Sequence, residues 1–510
     1  MTSTRNRSRV WDAVGLLLFA AGLAAVPRQF FGPIDGYDEG LLLTHADHIL
    51  HGAVPYRDFY ANYPPGVFLL TALTWLVTGV SVLATRALGL CIQIGIALLI
   101  GRAVARAAES PPGLSWLATG ATFLWLRHGS IFPTAWLTGL LCALIALELA
   151  ARAGHSKTRW MVVGLFFGAV ACLRHDLFVY SSALLFGVLC LLRLMRAAVA
   201  YPPRAALVAL LVGILLPIAA VGGWIWWKAG YRQPYLDLYY DQVNSMLPGR
   251  VLPLPPLWRL ERLTLGIWLG WVAPVAWLLM LACGRHSIAF AALGALAIAG
   301  LPQMMNRADM HHVAYGLAPG IGILALAVEH ERMGNRRSLS RFAAAAVALL
   351  LLAGGAYKLR FKFGREWTDM DVPRAAGIPA GSREMAAVRA RVLDFIARHS
   401  QPDERIFVGS EQHARVYTSE MDLYFLADRR GAVRRMQFDP NLTNREDEQR
   451  LMIDQIETCR AKVVVLAPYK DPHEPNDSAK VGADLIDRYL AERFVLEERA
   501  GPYQLLLRRR

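Results

Sequence analysis

The sequence predicts a polytopic α-helical membrane domain of about eleven spans followed by a soluble α/β domain. Three observations carry this reading. Apolar residues fill 55% of the 510 positions, and the mean hydropathy of +0.33 lies above that of ordinary soluble chains. Those residues gather into runs almost free of charge between Trp11 and about Tyr357. Beyond about Arg360 charges recur throughout, and helical and strand periods alternate.

A crossing helix needs about 20 apolar residues. The candidates are 11–27, 86–101, 114–127, 131–151, 160–173, 177–195, 205–227, 264–282, 287–302, 313–329 and 342–357. The first, behind Arg5, Arg7 and Arg9, reads as an uncleaved anchor because many spans follow it. A further run, 67–83, decides the side of everything downstream. If it does not cross, the basic clusters agree. Arg102 and Arg106, then Arg152, Lys157 and Arg159, then Arg193, Arg196 and Arg204, then Arg285, then Arg332, Arg336, Arg337 and Arg341 all face the cytoplasm, as short loops rich in Lys and Arg do. The run then lies against the outer face or dips into it, which its threonines and Gly79 suit. The expected plan is a membrane domain 1–360 with outer loops 28–85 and 228–263, and an extracytoplasmic domain 361–510, in a bacterial inner membrane.

The formal charge of +14 is spent in these clusters, so membrane lipids and not nucleic acid are the expected partners. Cys91, Cys142, Cys172 and Cys190 lie inside apolar runs, and the six cysteines offer no disulfide or zinc spacing.

The first outer loop is the most informative stretch. It reads Pro33-Ile34-Asp35-Gly36-Tyr37-Asp38-Glu39-Gly40, a helical segment to Leu50, then His51-Gly52-Ala53-Val54-Pro55-Tyr56-Arg57-Asp58-Phe59 and Tyr63-Pro64-Pro65-Gly66. Asp38 can cap that helix and Gly52 can end it. Capping does not explain three acids within five positions beside the membrane, in a loop rich in Tyr and Arg.

An acidic pair after the first span, a short helix, a Gly-x-x-Pro-Tyr-x-Asp-Phe turn and a Pro-Pro-Gly entry to a second helix resemble the first external loop of the integral-membrane glycosyltransferases of the GT-C fold. That class contains the protein O-mannosyltransferases, the aminoarabinose transferase of lipid A, and a bacterial family built around lipopolysaccharide-core galacturonic-acid transferases. The resemblance implies a sugar donor carried on polyprenyl phosphate and a lipid, glycan or protein hydroxyl as acceptor. It maps the catalytic base to Asp38, with Glu39 beside it. Asp35, Tyr56, Arg57, Asp58 and Tyr63 of the same loop are candidate substrate-binding residues. One carboxylate suffices for inverting displacement at an anomeric carbon whose leaving group is already a phosphate, unlike the paired acids of glycosidases.

The departing lipid phosphate needs cations, and the planar arginine fork can hold two phosphate oxygens. Two outer-face turns supply them: Arg174-His175-Asp176, and Arg307-Ala308-Asp309-Met310-His311-His312. Ionisable groups at the membrane are functional candidates by default. The Arg-x-Asp-x-x-His pattern of Arg307, Asp309 and His312 is also similar to an element of bacterial members of the class. Arg127-His128 is weaker, because Thr134 stands near where an acid is expected. His45, His48 and His51 could gather with Asp38 and Asp47 around a divalent metal, but Asp47 points elsewhere and no His-Glu-x-x-His or Cys pair supports this. No cofactor is therefore assigned.

The aromatic segment 228–263 reads as an interfacial loop that anchors the protein or shapes an entrance. In the tail, helices over 383–399, 412–426, 445–460 and 480–493 alternate with strands near 405–409, 462–467, 494–499 and 503–509. With no phosphate loop or nucleophile elbow, this domain is expected to brace the catalytic loops. The rival readings are a solute or lipid-linked glycan transporter, which needs polar groups midway through its spans, and a glycan ligase or polymerase using lipid-diphosphate donors.

Overall fold

The computed structural model describes residues 2–108, 113–194, 204–259, 261–283, 287–330, 372–415, 419–468 and 482–510. Candidate span 342–357 and the basic residues Arg196, Arg285, Arg332, Arg336, Arg337 and Arg341 lie outside these. The chain forms two compact units. One comprises Met1–Gln29, Gly89–Gly222 and Pro253–Lys362, and the other Phe30–Leu88, Gly223–Leu252 and Phe363–Arg510.

Among the described residues eight helices are long and apolar enough to cross a membrane: Val10–Phe30, Val82–Ala107, Ala135–Ala153, His175–Leu194, Arg204–Ala229, Arg262–Ala282, Ile288–Asn306 and Met310–Ala327. Each matches a run read from the sequence. Runs 114–127 and 160–173 are also helical, as Gly113–Leu126 and Lys157–Leu173. Burial separates centre from rim: 78% of the residues in Met310–Ala327 are buried, against 11% of those in the most apolar 18-residue stretch of Arg204–Ala229. On the latter, Val208, Leu211, Leu215 and Leu216 are all exposed, an apolar face that soluble proteins do not leave to water. The protein is a multi-pass integral membrane protein.

Small residues let these helices approach. A Cβ on Gly300 would lie 2.1 Å from the Gly316 carbonyl oxygen, so Ile288–Asn306 meets the following helix backbone to backbone. Thr134, Ser156 and Ser287 cap three helices by accepting from the amides of Leu137, Arg159 and Phe290. Glu148 receives Arg102, Arg106 and Arg152 at 2.9, 2.9 and 2.5 Å. Two of the basic clusters used to orient the chain thus converge on one acid.

The second unit holds a five-stranded sheet, β1 (Arg405–Ser410), β2 (Arg430–Gly431), β3 (Val463–Ala467), β4 (Phe494–Ala500) and β5 (Tyr503–Arg508), in the order β2-β1-β3-β5-β4. β1 runs parallel to β2 and β3, while β5 is antiparallel to β3 and β4. Helices Arg383–His399, Glu446–Thr458 and Leu485–Arg493 accompany it. The helix expected over 412–426 is reduced to Asp422–Leu426. Its first residues turn away because the His413 amide and ring both bond Asp487, at 3.0 and 2.6 Å.

The first outer loop belongs to this unit. Its helices Asp38–Leu50 and Gly66–Thr78 share one core with the tail, in which Leu43, Ala46 and Trp75 pack with Ile378 and Phe425. Trp75 stacks on Phe425 at 5.6 Å. The 13 residues of Gly66–Thr78 reach about 20 Å, short of the roughly 30 Å hydrocarbon core, and Gly79 ends the helix at φ +78°. The segment read as an interfacial loop is instead helical over Arg232–Arg250, through the π-helical turns Leu236–Tyr240 and Gln242–Met246. Its Tyr231, Tyr235, Tyr239 and Tyr240 remain exposed.

Candidate active site

The acidic loop is built by a division of labour among its carboxylates. Asp35, not Asp38, starts the helix: its side chain accepts from the amides of Tyr37 and Asp38 at 3.0 and 3.2 Å, and its carbonyl from Gly40 at 2.9 Å. A cap must precede the amides it accepts from, and Asp38 is already the first helical residue. Asp35 keeps surface in contact with solvent, yet the partial burial of its carboxyl group, followed by the charges of Asp38 and Glu39, raises its pKa to about 7.

Glu39 is buried and gripped by Arg86, both contacts at 2.7 Å. The same guanidinium donates to the carbonyls of Phe30, Gly32 and Pro33. Glu39 is thereby a fixed anchor for the loop. Of the five acids in 30–66, the others are also engaged: Asp47 by Arg374 at 2.8 Å and Asp58 by Arg57 and the Val54 amide, both at 2.7 Å. Asp38 alone is exposed with a carboxylate that makes no hydrogen bond or ion pair among the described residues.

The residue before it is held from three directions. The Tyr37 hydroxyl donates to Asp439 at 2.8 Å and accepts from Arg250 at 2.5 Å and Gln437 at 2.9 Å. Arg250 and Gln437 bond Asp439 as well, each at 2.6 Å. Burial, with Asp439 and Asp38 nearby, pushes the Tyr37 pKa well above its ordinary value against the pull of Arg250, so the phenol stays protonated and donates. Arg86, Tyr37, Arg250, Gln437 and Asp439 were not singled out from sequence. Arg86 alone left a signal, as the charge heading the 86–101 run.

Tyr56 is fully buried at φ +69°, and its hydroxyl is spent on the Tyr63 carbonyl at 2.8 Å. Arg57 and Asp58 instead face a cavity of about 210 Å³. His45 is buried between Phe59 and Phe68, at 4.5 and 4.9 Å. His48 bonds the Thr44 carbonyl at 2.6 Å. Among the described residues no three His, Cys, Asp or Glu side chains are arranged to hold a metal ion.

In the membrane unit the two basic turns prove to be one device used twice. Arg174 and Arg307 each end a helix in an extended conformation, with φ near −154° and −144°. Each pairs with the aspartate two residues on, at 2.7 and 2.9 Å. Asp309 then caps the next helix by accepting from the His312 amide, whereas Asp176 sits in the first turn of its own helix and accepts from the Leu177 amide. Arg174 also donates to Gln303, one turn ahead of Arg307, at 3.2 Å, which draws the two turns together. Burial of Asp309 is outweighed by its bonds to His312 and the charge of Arg307, which hold its pKa well below the carboxylate range. His175 opens the helix that carries Asp176 in its first turn. Arg127 is fully buried over the Phe123 ring at 4.7 Å, with Nε and Nη2 lacking partners among the described residues.

No protein-family model and no curated protein matches the sequence. Solved structures do match. ArnT from Cupriavidus metallidurans in the apo state is similar over 99% of this chain and 98% of its own, with a TM-score of 0.54 at 15% identity. The same protein bound to undecaprenyl phosphate gives 0.52 at 14%, over 98% and 97%. An Archaeoglobus fulgidus oligosaccharyltransferase tethered to an acceptor peptide covers 89% of this chain and 69% of its own, with a TM-score of 0.48 at 14% identity. End-to-end coverage at such low identity is a likeness of fold, and this chain has the GT-C fold of the integral-membrane glycosyltransferases, with a C-terminal soluble domain.

Proposed function

We propose that the protein transfers a sugar from a polyprenyl-phosphate donor to an acceptor hydroxyl of a lipid, glycan or protein at the outer face of a bacterial inner membrane. The observation that carries this reading is Asp38, the one acid of the loop left uncommitted while its neighbours are locked in place. Asp38 takes the proton of the acceptor hydroxyl as the oxygen attacks the anomeric carbon. The bond from that carbon to the phosphate oxygen breaks, the lipid phosphate leaves with the electron pair, and the configuration inverts. Glu39 positions the loop through Arg86. Arg174, with Asp176 and His175, and Arg307, with Asp309 and His312, are assigned to the phosphate, their forks held by carboxylates that a stronger anion can displace. Tyr56 and Tyr63 shape the loop.

The N-terminus is assigned to the cytoplasm, with the second unit outside. Support comes from the gathering of Arg102, Arg106 and Arg152 on Glu148 and from Lys157–Leu173, which carries Lys157 and Arg159 at one end and leads to Arg174 at the other. Because general-base assistance contributes about 10²–10⁴-fold, Asp38→Asn should lower transfer by that factor in membranes supplied with lipid-linked donor. Full activity in this variant would remove Asp38 from the mechanism.

A further inference from the structure

The cavity beside the acidic loop is lined by charge that the fold does not use. Arg405 and Arg430 are register partners at the start of the parallel strands β1 and β2, so their side chains leave one face of the sheet about 4.8 Å apart. Like charges directly opposite each other are unfavourable in a sheet. Neither guanidinium is neutralised: Arg405 bonds the Gly431 carbonyl at 3.0 Å and Arg430 the His51 carbonyl at 3.2 Å, with no carboxylate bonded to either among the described residues. Each guanidinium has five N–H groups, so most of their donors point elsewhere.

The lining also carries Arg57, Asp58, His48 and His51. Three guanidiniums and one carboxylate leave a formal charge of +2 with the imidazoles neutral. Two shifts report that field. Burial lowers the His48 pKa, and Arg430 and Arg405 lower it further. Asp58 is held below its ordinary value despite burial, by Arg57 and the Val54 amide and in part by Arg405.

We propose that this cavity binds a phosphate monoester dianion. A carboxylate has two oxygens and fills one arginine fork, whereas the three oxygens of a phosphoryl group can engage two forks at once. A monoester carries about −1.5 to −2 near neutrality, which complements the wall. At about 210 Å³ the space is smaller than the roughly 300–1,000 Å³ of drug-sized pockets, so it takes a headgroup or small sugar phosphate and excludes a polyprenyl chain. Asp38 is not among its lining residues, and this site for Arg57 and Asp58 replaces the substrate-binding role the loop motif suggested for them, so it does not rest on the transfer reaction.

The test is calorimetric titration of sn-glycerol 3-phosphate into the full chain held in phosphatidylcholine nanodiscs, repeated in nanodiscs containing phosphatidic acid. Binding in the first, abolished in the second, identifies a lipid headgroup as the occupant; equal binding in both identifies a soluble phosphate. The double variant Arg405→Gln, Arg430→Gln should bind about tenfold more weakly or worse. Asp58→Asn, which keeps an acceptor for the Val54 amide and frees Arg57, should bind several-fold more tightly, a gain that misfolding cannot produce. No binding in either nanodisc, or parental affinity in both variants, overturns the proposal.

Discussion

Asp38 and Glu39 are neighbours in sequence, yet the chain treats them as different chemical objects. Replacing Glu39 by Gln leaves the Arg86 guanidinium buried without its counter-charge, and breaking such a pair costs about 3–5 kcal/mol. Glu39→Gln should therefore lower the thermal midpoint in detergent markedly, while Asp38→Asn leaves it in place. Transfer and melting curves on the two variants together separate chemistry from scaffold. Asp35 supplies a pH handle. Its folded pKa of about 7 lies above the ordinary 3.8, so between these values the folded chain binds more protons than the unfolded one and loses stability as pH rises. Asp35→Asn keeps the acceptor for Tyr37 and Asp38 and removes the charge. The variant should melt like the parent at pH 4 and higher at pH 8, by about 1–2 °C once exposure is allowed for.

Elements set by local pattern were legible in the sequence. Arg383–His399 has the limits its amphipathic period predicts, and the eight long apolar helices fall on runs that composition alone marks out. Elements set by distant partners were not. Arg232–Arg250 has the aromatic composition of a surface loop, but Asp237 and Asp241 are buried against Arg434 and Arg435 at 2.6 and 2.5 Å. No spacing within the segment announces charges some two hundred residues away. The same holds for the site: Asp38 and the two Arg-x-Asp turns could be singled out from short motifs, whereas Arg250 and Asp439 acquire meaning from each other. Arg434→Ala with Arg435→Ala strands two buried carboxylates, so Arg232–Arg250 should become the preferred site of limited proteolysis while the membrane helices keep their circular dichroism. Unchanged cleavage would show that this segment holds itself.

At the scale of the molecule, side is the property on which the proposed chemistry depends, because a lipid-linked sugar and the acidic loop must meet in one compartment. A phosphatase reporter fused after Arg510 should be active outside the cytoplasm, and a fluorescent protein that matures only in the cytoplasm should stay dark there. The reverse pair of signals would discard the orientation. The knot of Tyr37, Arg250, Gln437 and Asp439 ties together the beginning, middle and end of the polypeptide. During synthesis, the ribosome must have made more than five-sixths of the protein, through Asp439 of 510 residues, before the acidic helix acquires its last clasp. On the proposed orientation, a half-exported nascent chain would hold its candidate base without the support that aims it, and the proposed transfer would wait until export is nearly complete.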